Sequence, residues 1–360
     1  MLRKLQIFKN FCTYEHWQNK NKVALFSSKS YDQLFFEKVN NQLPKKQRLE
    51  IEYFPQEINE KTAILTQGFN TIIPFVNDKL NAKCLTTLKN NGVDLIALRC
   101  AGFNNIDLKK AQELDIKVVR VPAYSPQAVA EHTMALLLTL VRKIHKAQNR
   151  TKEGNFCLEG LLGINLYQKK VGVIGTGKIG QAFMQICKGF EMNILCYDVQ
   201  SDKKIEEKYN AKYVDLKTLL QQSDIISLHC PLNYDTQYII DRKSLELIKE
   251  GAYILNTGRG KLIRTDEIIN SLKSGKLGGV GIDVFENEEN FFFQDSSEKV
   301  INDDDLARLL MYPNVIVTGH QAFFTQEAIN AICQVTVNNI LQIRNNEKCE
   351  NQIFYKDDRE

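Results

Sequence analysis

The run Val171-Gly-Val-Ile-Gly-Thr-Gly-Lys-Ile-Gly180 limits what this chain can fold into more than any other stretch. Residues 170–174 read as a short apolar strand that breaks into glycines, and residues 181–190 as the helix that follows. Gly175, Gly177 and Gly180 fit the spacing G-x-G-x-x-G. In that spacing the first glycine makes a tight turn, the second admits a phosphate to the backbone, and the third lets helix and strand pack closely. The helix start aims its amides and its dipole at the same point.

The next stretch gives that pattern its meaning. Residues 192–198 form a second apolar strand ending in Asp198, which lies 18 residues beyond Gly180. A carboxylate at that distance takes the adenosine ribose hydroxyls of a dinucleotide. Its charge also repels a 2′-phosphate, so the cofactor expected is NAD.

At 360 residues the chain has room for two domains. Apolar content of 43% and a net charge of +4 are those of an ordinary globular protein. No basic run is interleaved with aromatics, which argues against nucleic acid as a partner. The longest apolar run, 134–138, is too short for a membrane span. Nine scattered cysteines with no C-x-x-C pair fit free thiols in a reducing compartment and no zinc site, so no metal is expected. Residues 1–22 are basic and read as an N-terminal extension; a mitochondrial presequence is the alternative, and a cytoplasmic location is otherwise expected.

Strands and helices alternate on both sides of Pro122. Strands are expected at 22–28, 49–54, 63–65, 71–76, 95–99 and 117–121, with helices at 31–40, 85–90 and 108–114 between them. A helix over 128–146, apolar nearly all round at 134–141, should be buried between domains or between subunits. Further strands are expected at 224–231, 252–256, 278–283 and 314–320, and a last helix at 325–345. The class is α/β, with two doubly wound Rossmann-like domains.

Ligands of open parallel sheets bind beyond the carboxyl ends of the strands. There the chain places His229, Arg259, Asp283 with Glu286, Glu288 and Glu289, and His320. An arginine, an acid and a histidine beside a dinucleotide suit reduction of a 2-keto acid. The guanidinium forks onto a carboxylate, the imidazole gives the carbonyl oxygen its proton, and the acid orients the ring. Position favours His320 over His229, because Cys230 and Pro231 turn His229 toward a cleft wall. His132 and His145 read as packed or solvated helix residues. Position does not choose among the three glutamates.

The stretches LRCAGFNNID (98–107), VRVPAYSPQAVAEH (119–132), VGVIGTGKIG (171–180), DIISLHCPL (224–232), ILNTGRG (254–260), GIDVFENE (281–288) and VTGHQAFFT (317–325) resemble the D-isomer-specific 2-hydroxyacid dehydrogenase family. Within it they are most similar to the bacterial fermentative D-lactate dehydrogenases. The resemblance implies Arg259 as carboxylate anchor, Glu288 as the acid paired to the histidine, His320 as proton donor, and Asp283 as a support behind them. It further implies Ala101, Gly102, Tyr124 and Phe323 on the substrate side. Gly175, Gly177, Lys178, Ile179, Gly180, Asp198, Cys230, Pro231 and Thr257 match NAD-contact positions.

The domains it implies are a substrate domain over 23–123, an NAD-binding domain over 124–322, and a C-terminal helix, 323–350, returning to the first, with the cleft at their junction. The long helix would lie in the interface of a homodimer or dimer of dimers. Gly258 departs from the family, which usually has a small or hydroxyl-bearing residue there, and the extension has no match in the bacterial pattern.

The activity expected is reduction of pyruvate to D-lactate with NADH. The neutral loop at 100–103 suits a methyl group better than a phosphate, and the segment 287–305, with its packing phenylalanines 291–293, also resembles the lactate branch. Hydroxypyruvate or phenylpyruvate as substrate is a sibling reading. An NADH-sensing corepressor that binds protein partners is a reading of another class.

Overall fold

The computed structural model describes residues 22–288 and 291–355. Residues 1–21, nearly all of the expected extension, lie outside the described residues. The chain divides into two units: one takes residues up to Tyr124 and resumes at Gln326, and the other runs from Ser125 to Thr325. Tyr124 therefore goes with the first unit and Phe323 with the second.

The first unit is built on β1 (Lys22–Leu25), β2 (Glu50–Tyr53), β3 (Thr71–Ile73), β4 (Leu95–Ala97) and β5 (Lys117–Val119), with helix α1 (Ser30–Gln42) after β1. These strands are parallel, in the order β2-β1-β3-β4-β5. The central ones are short apolar runs because helices cover both their faces; β3 and β4 are buried at every position. β2 alternates because it forms the edge. The expected strand at 63–65 is instead part of a 3-10 helix, Thr62–Thr66. Its Ala63 and Thr66 are buried while Ile64 and Leu65 face solvent, a threefold pattern that no strand produces.

The second unit starts with α2 (Pro126–Arg142) and α3 (Ile144–Lys152). Seven parallel strands follow: β6 (Lys170–Ile174), β7 (Asn193–Tyr197), β8 (Ala211–Tyr213), β9 (Ile225–Leu228), β10 (Ala252–Asn256), β11 (Leu277–Ile282) and β12 (Val315–Val317). Helix α4 (Lys178–Gly189) joins β6 to β7. The spatial order is β8-β7-β6-β9-β10-β11-β12, so the winding reverses between β6 and β9. That reversal opens a crevice at the carboxyl edge of the sheet.

The helix expected over 128–146 is corrected in two ways. It starts earlier, where Ser125 caps it through the Ala128 amide and Pro126 takes the first position. It ends at Arg142, since Lys143 turns left-handed at φ 51° and α3 begins anew. Its apolar girth is buried against its own sheet: Leu136 and Leu140 press onto β11 at Gly281, where any side chain would crowd them. The chain then returns to the first unit as α5 (Gln326–Arg344) and β13 (Gln352–Ile353), which pairs antiparallel with β5. No helix of the described residues is long and apolar enough to cross a membrane.

Candidate active site

The glycine loop sits where the winding reverses. Gly175 has φ 96°, and a Cβ there would collide with the Cys230 amide, so β6 and β9 can close together only on a glycine. This close approach sets Cys230 beside the loop, with Pro231 next in the chain. A Cβ on Gly180 would strike the Gly175 carbonyl, whereas one on Gly177 would meet nothing within 4 Å. The open space thus lies in front of the first amides of α4, where Lys178 and Ile179 begin the helix and no side chain caps it.

Asp198 follows β7. Its carboxylate accepts from the Thr176 amide at 2.7 Å, the Thr176 hydroxyl at 2.9 Å and the Val199 amide at 2.8 Å. Tyr213 in turn donates to Thr176 Oγ1 at 2.8 Å. Neither Thr176 nor Tyr213 was singled out from sequence; Thr176 acts on Asp198 directly, and Tyr213 acts through Thr176. Thr257, after β10, is buried, with its hydroxyl 2.8 Å from that of Thr133 on α2. Because Thr133 spends its own proton on the Val129 carbonyl at 2.7 Å, Thr257 is the donor.

Arg259 stands on the same loop, partly exposed. Asn256 braces that loop, donating to the Arg259 carbonyl at 2.9 Å and accepting from the Gly258 amide at 3.0 Å. Gly260 lies against the backbone of Phe285 and Glu286, so the loop after β10 abuts the loop after β11. Arg259, Glu288 and His320 therefore follow β10, β11 and β12, three adjacent strands, at one edge of one sheet.

His320 Nδ1 is 2.9 Å from Glu288 Oε1, and Glu288 Oε2 accepts from the Phe285 amide at 3.0 Å. The two side chains are 17% and 20% exposed, enough for a ligand to reach and little enough to strengthen the pair. Phe293 and Phe323 stand beside the imidazole, with ring centroids at 5.8 and 6.5 Å. Phe293 was expected to pack only. The glutamates left open by position now separate: Glu286 accepts from the Thr265 amide at 3.0 Å, Glu288 holds the histidine, and Glu289 lies outside the described residues.

Asp283, fully buried beneath the His320 turn, accepts from Thr318 Oγ1, the Gln321 amide and the Ala322 amide at 2.5, 2.9 and 2.8 Å. His229 is a different kind of histidine. It packs on Phe183 and pairs with Ser227 Oγ at 2.8 Å, and burial pushes its pKa down to about 3. Burial thus disfavours the imidazolium form that a proton donor needs.

In the first unit, Ala101 and Gly102 lie half-buried in the loop after β4. Arg120 donates to the Ala101 carbonyl at 2.9 Å, and buried Arg99 fixes the loop's base through the Phe26 and Ser27 carbonyls and the Asp32 carboxylate. Tyr124, half-buried, ends this part of the unit. Among the described residues no group of three or more His, Cys, Asp or Glu side chains could hold a metal.

The open glycine cradle, the uncapped helix start and the fixed carboxylate of Asp198 fit NAD. Residues 134–322 match the NAD-binding domain of the D-isomer specific 2-hydroxyacid dehydrogenases. A 2-hydroxyacid dehydrogenase homolog of Haemophilus influenzae is 48% identical over 333 residues, 92% of this chain and 99% of that protein. The D-lactate dehydrogenase of Escherichia coli is 46% identical over 332 residues, again 92% and 99% of the two chains. A solved apo-structure of D-lactate dehydrogenase from that organism has a TM-score of 0.84 over 92% of this chain and 99% of its own. The pyruvate reductase of Chlamydomonas reinhardtii, 37% identical, has a TM-score of 0.86 over 92% and 100%. On its two doubly wound sheets, its cofactor loop and these relatives, the chain belongs to the D-isomer-specific 2-hydroxyacid dehydrogenase family and uses NAD.

Proposed function

We propose that this chain reduces pyruvate to D-lactate, with His320 as the acid. The observation that carries the reading is the 2.9 Å bond between His320 Nδ1 and Glu288. A carboxylate accepts only from a protonated nitrogen, so Nδ1 carries a hydrogen and Nε2 is left to give or take the catalytic proton. Glu288 holds the ring in this tautomer and orientation. NADH, when bound, supplies the hydride. Arg259 anchors the substrate carboxylate and draws charge from the carbonyl as its oxygen takes the proton from His320.

From the family resemblance we assign the Ala101 and Gly102 amides to the substrate carboxylate, and Tyr124 and Phe323 to the substrate side. The small residues of the 100–102 loop support a methyl-bearing keto acid, as do the names of the relatives. We further propose a homodimer, and a cytoplasmic location on the strength of the scattered, odd cysteine complement. A mitochondrial presequence would fall in residues outside the described ones.

The test is an initial-rate panel of pyruvate, hydroxypyruvate and phenylpyruvate with NADH and NADPH, with the product's handedness determined. Pyruvate with NADH should lead and yield the D-isomer. His320→Ala should lose roughly 10²–10⁴-fold in rate while NADH still binds. Arg259→Ala should raise KM and also slow turnover. Preference for a bulkier keto acid would overturn the substrate assignment. Negligible turnover of every acid, with NADH binding intact, would favour an NADH sensor.

A further inference from the structure

His132 lies on α2, far in sequence from the residues above. Its Nε2 is 3.0 Å from Thr318 Oγ1 and 3.5 Å from Asp283 Oδ1. Thr318 has one hydroxyl proton, and at 2.5 Å from an acceptor-only carboxylate that proton belongs to the bond with Asp283. Toward His132 the hydroxyl is therefore an acceptor, so His132 Nε2 carries a hydrogen. The chain of donors has one direction: His132 Nε2–H to Thr318 Oγ1–H to Asp283 Oδ1.

This chain ends on the turn that presents His320. Asp283 grips Thr318 by its hydroxyl and Gln321 and Ala322 by their amides, while its own carbonyl accepts from the His320 amide at 2.7 Å. Between these anchors His320 is left-handed, at φ 53°, a conformation that only surrounding contacts maintain in a residue with a Cβ. α2 is itself immobilised by its buried face on the sheet, so it supplies a fixed point for the histidine.

We propose that His132 is a positioning residue for proton transfer at His320. Its N–H orients the Thr318 hydroxyl onto Asp283, and this fixes the left-handed turn and the aim of the His320 ring. His132 itself touches neither substrate nor cofactor. The inference rests on the reading of His320 as the proton donor.

The experiment compares His132→Leu, His132→Gln and Thr318→Val in the full chain, measuring kcat and KM for the keto acid and Kd for NADH. Misplacing a reacting group by about 1 Å costs up to ~10²-fold, so His132→Leu should lose roughly 10–100-fold in kcat while KM and the NADH Kd stay within about twofold. Glutamine carries an amide N–H at a reach close to that of Nε2, and His132→Gln should recover most of the rate. Thr318→Val breaks the chain at its middle link and should reproduce the loss.

Wild-type kcat in His132→Leu overturns the proposal, as does a loss in His132→Gln equal to that of leucine, which would mean packing alone. If the leucine variant does not fold, the glutamine and valine variants decide by the same criterion. His320→Gln is assayed beside them. If it keeps its rate, the reading of His320 fails; if it loses its rate while the His132 and Thr318 variants do not, only the present inference fails.

Discussion

A carboxylate with no exposed surface keeps its charge only where donors surround it. Burial by itself pushes the Asp283 pKa up, but the donors from His132, Thr318, Ala322 and Gln321 together outweigh it and hold the group below the usual aspartate value. A depressed folded-state pKa adds stability above the unfolded value, about 4, and that stability is lost as pH falls through the lower folded value. Asp283→Asn should therefore lower the melting temperature at pH 7, and it should flatten the decline of wild-type stability below about pH 4. Equal acid sensitivity in the two proteins would show that the charge contributes nothing. At this scale the sequence alone reached the candidates and stopped. Spacing could not separate Glu286 from Glu288, because both follow β11 within reach of the same edge; a neighbouring amide, that of Thr265, is what claims Glu286. His132 was passed over because its partners stand 151 and 186 residues away, beyond any local pattern.

Among the elements, the glycine loop separates fit to the protein from fit to the ligand. Gly177 has ordinary extended angles and open space at its Cβ, so Gly177→Ala should leave stability within about 0.5 kcal/mol of wild type. The methyl would stand where phosphate must approach, and the NADH Kd should rise at least about tenfold, some 1.4 kcal/mol. Gly180→Ala forces a methyl into the Gly175 carbonyl and should destabilise by about 1–3 kcal/mol. Calorimetry and NADH titration on the two variants check both halves; matched losses of stability would contradict the assignment. The strands were legible because parallel strands covered on both faces are written as apolar runs. The turn at 62–66 was not, because Thr-Ala-Ile-Leu-Thr carries strand propensity and its helical periodicity is only one turn long. The break at Lys143 was hidden as well, since neither glycine nor proline marks it.

For the molecule as a whole, the surface around α3 bears on assembly. Ile144, Phe156, Leu158 and Leu162 are 52%, 76%, 81% and 88% exposed. Lys143 and Arg150 hold the segment carrying the last two, through the Gly160 and Glu159 carbonyls. Exposed apolar side chains on one stretch of chain favour burial against a second copy. Light scattering should give the mass of two chains, and Leu158→Glu with Leu162→Glu should give that of one; a wild-type monomer would end the proposal. The order of the elements along the chain has a temporal consequence. The second unit is one continuous stretch, complete once Thr325 is made, whereas the first unit's sheet lacks β13, and its α1 lacks the covering helix α5, until the last segment of the chain follows. On the ribosome, the half synthesised first is thus the half that finishes last, and it waits with an uncovered sheet edge while the nucleotide-binding half is already able to close.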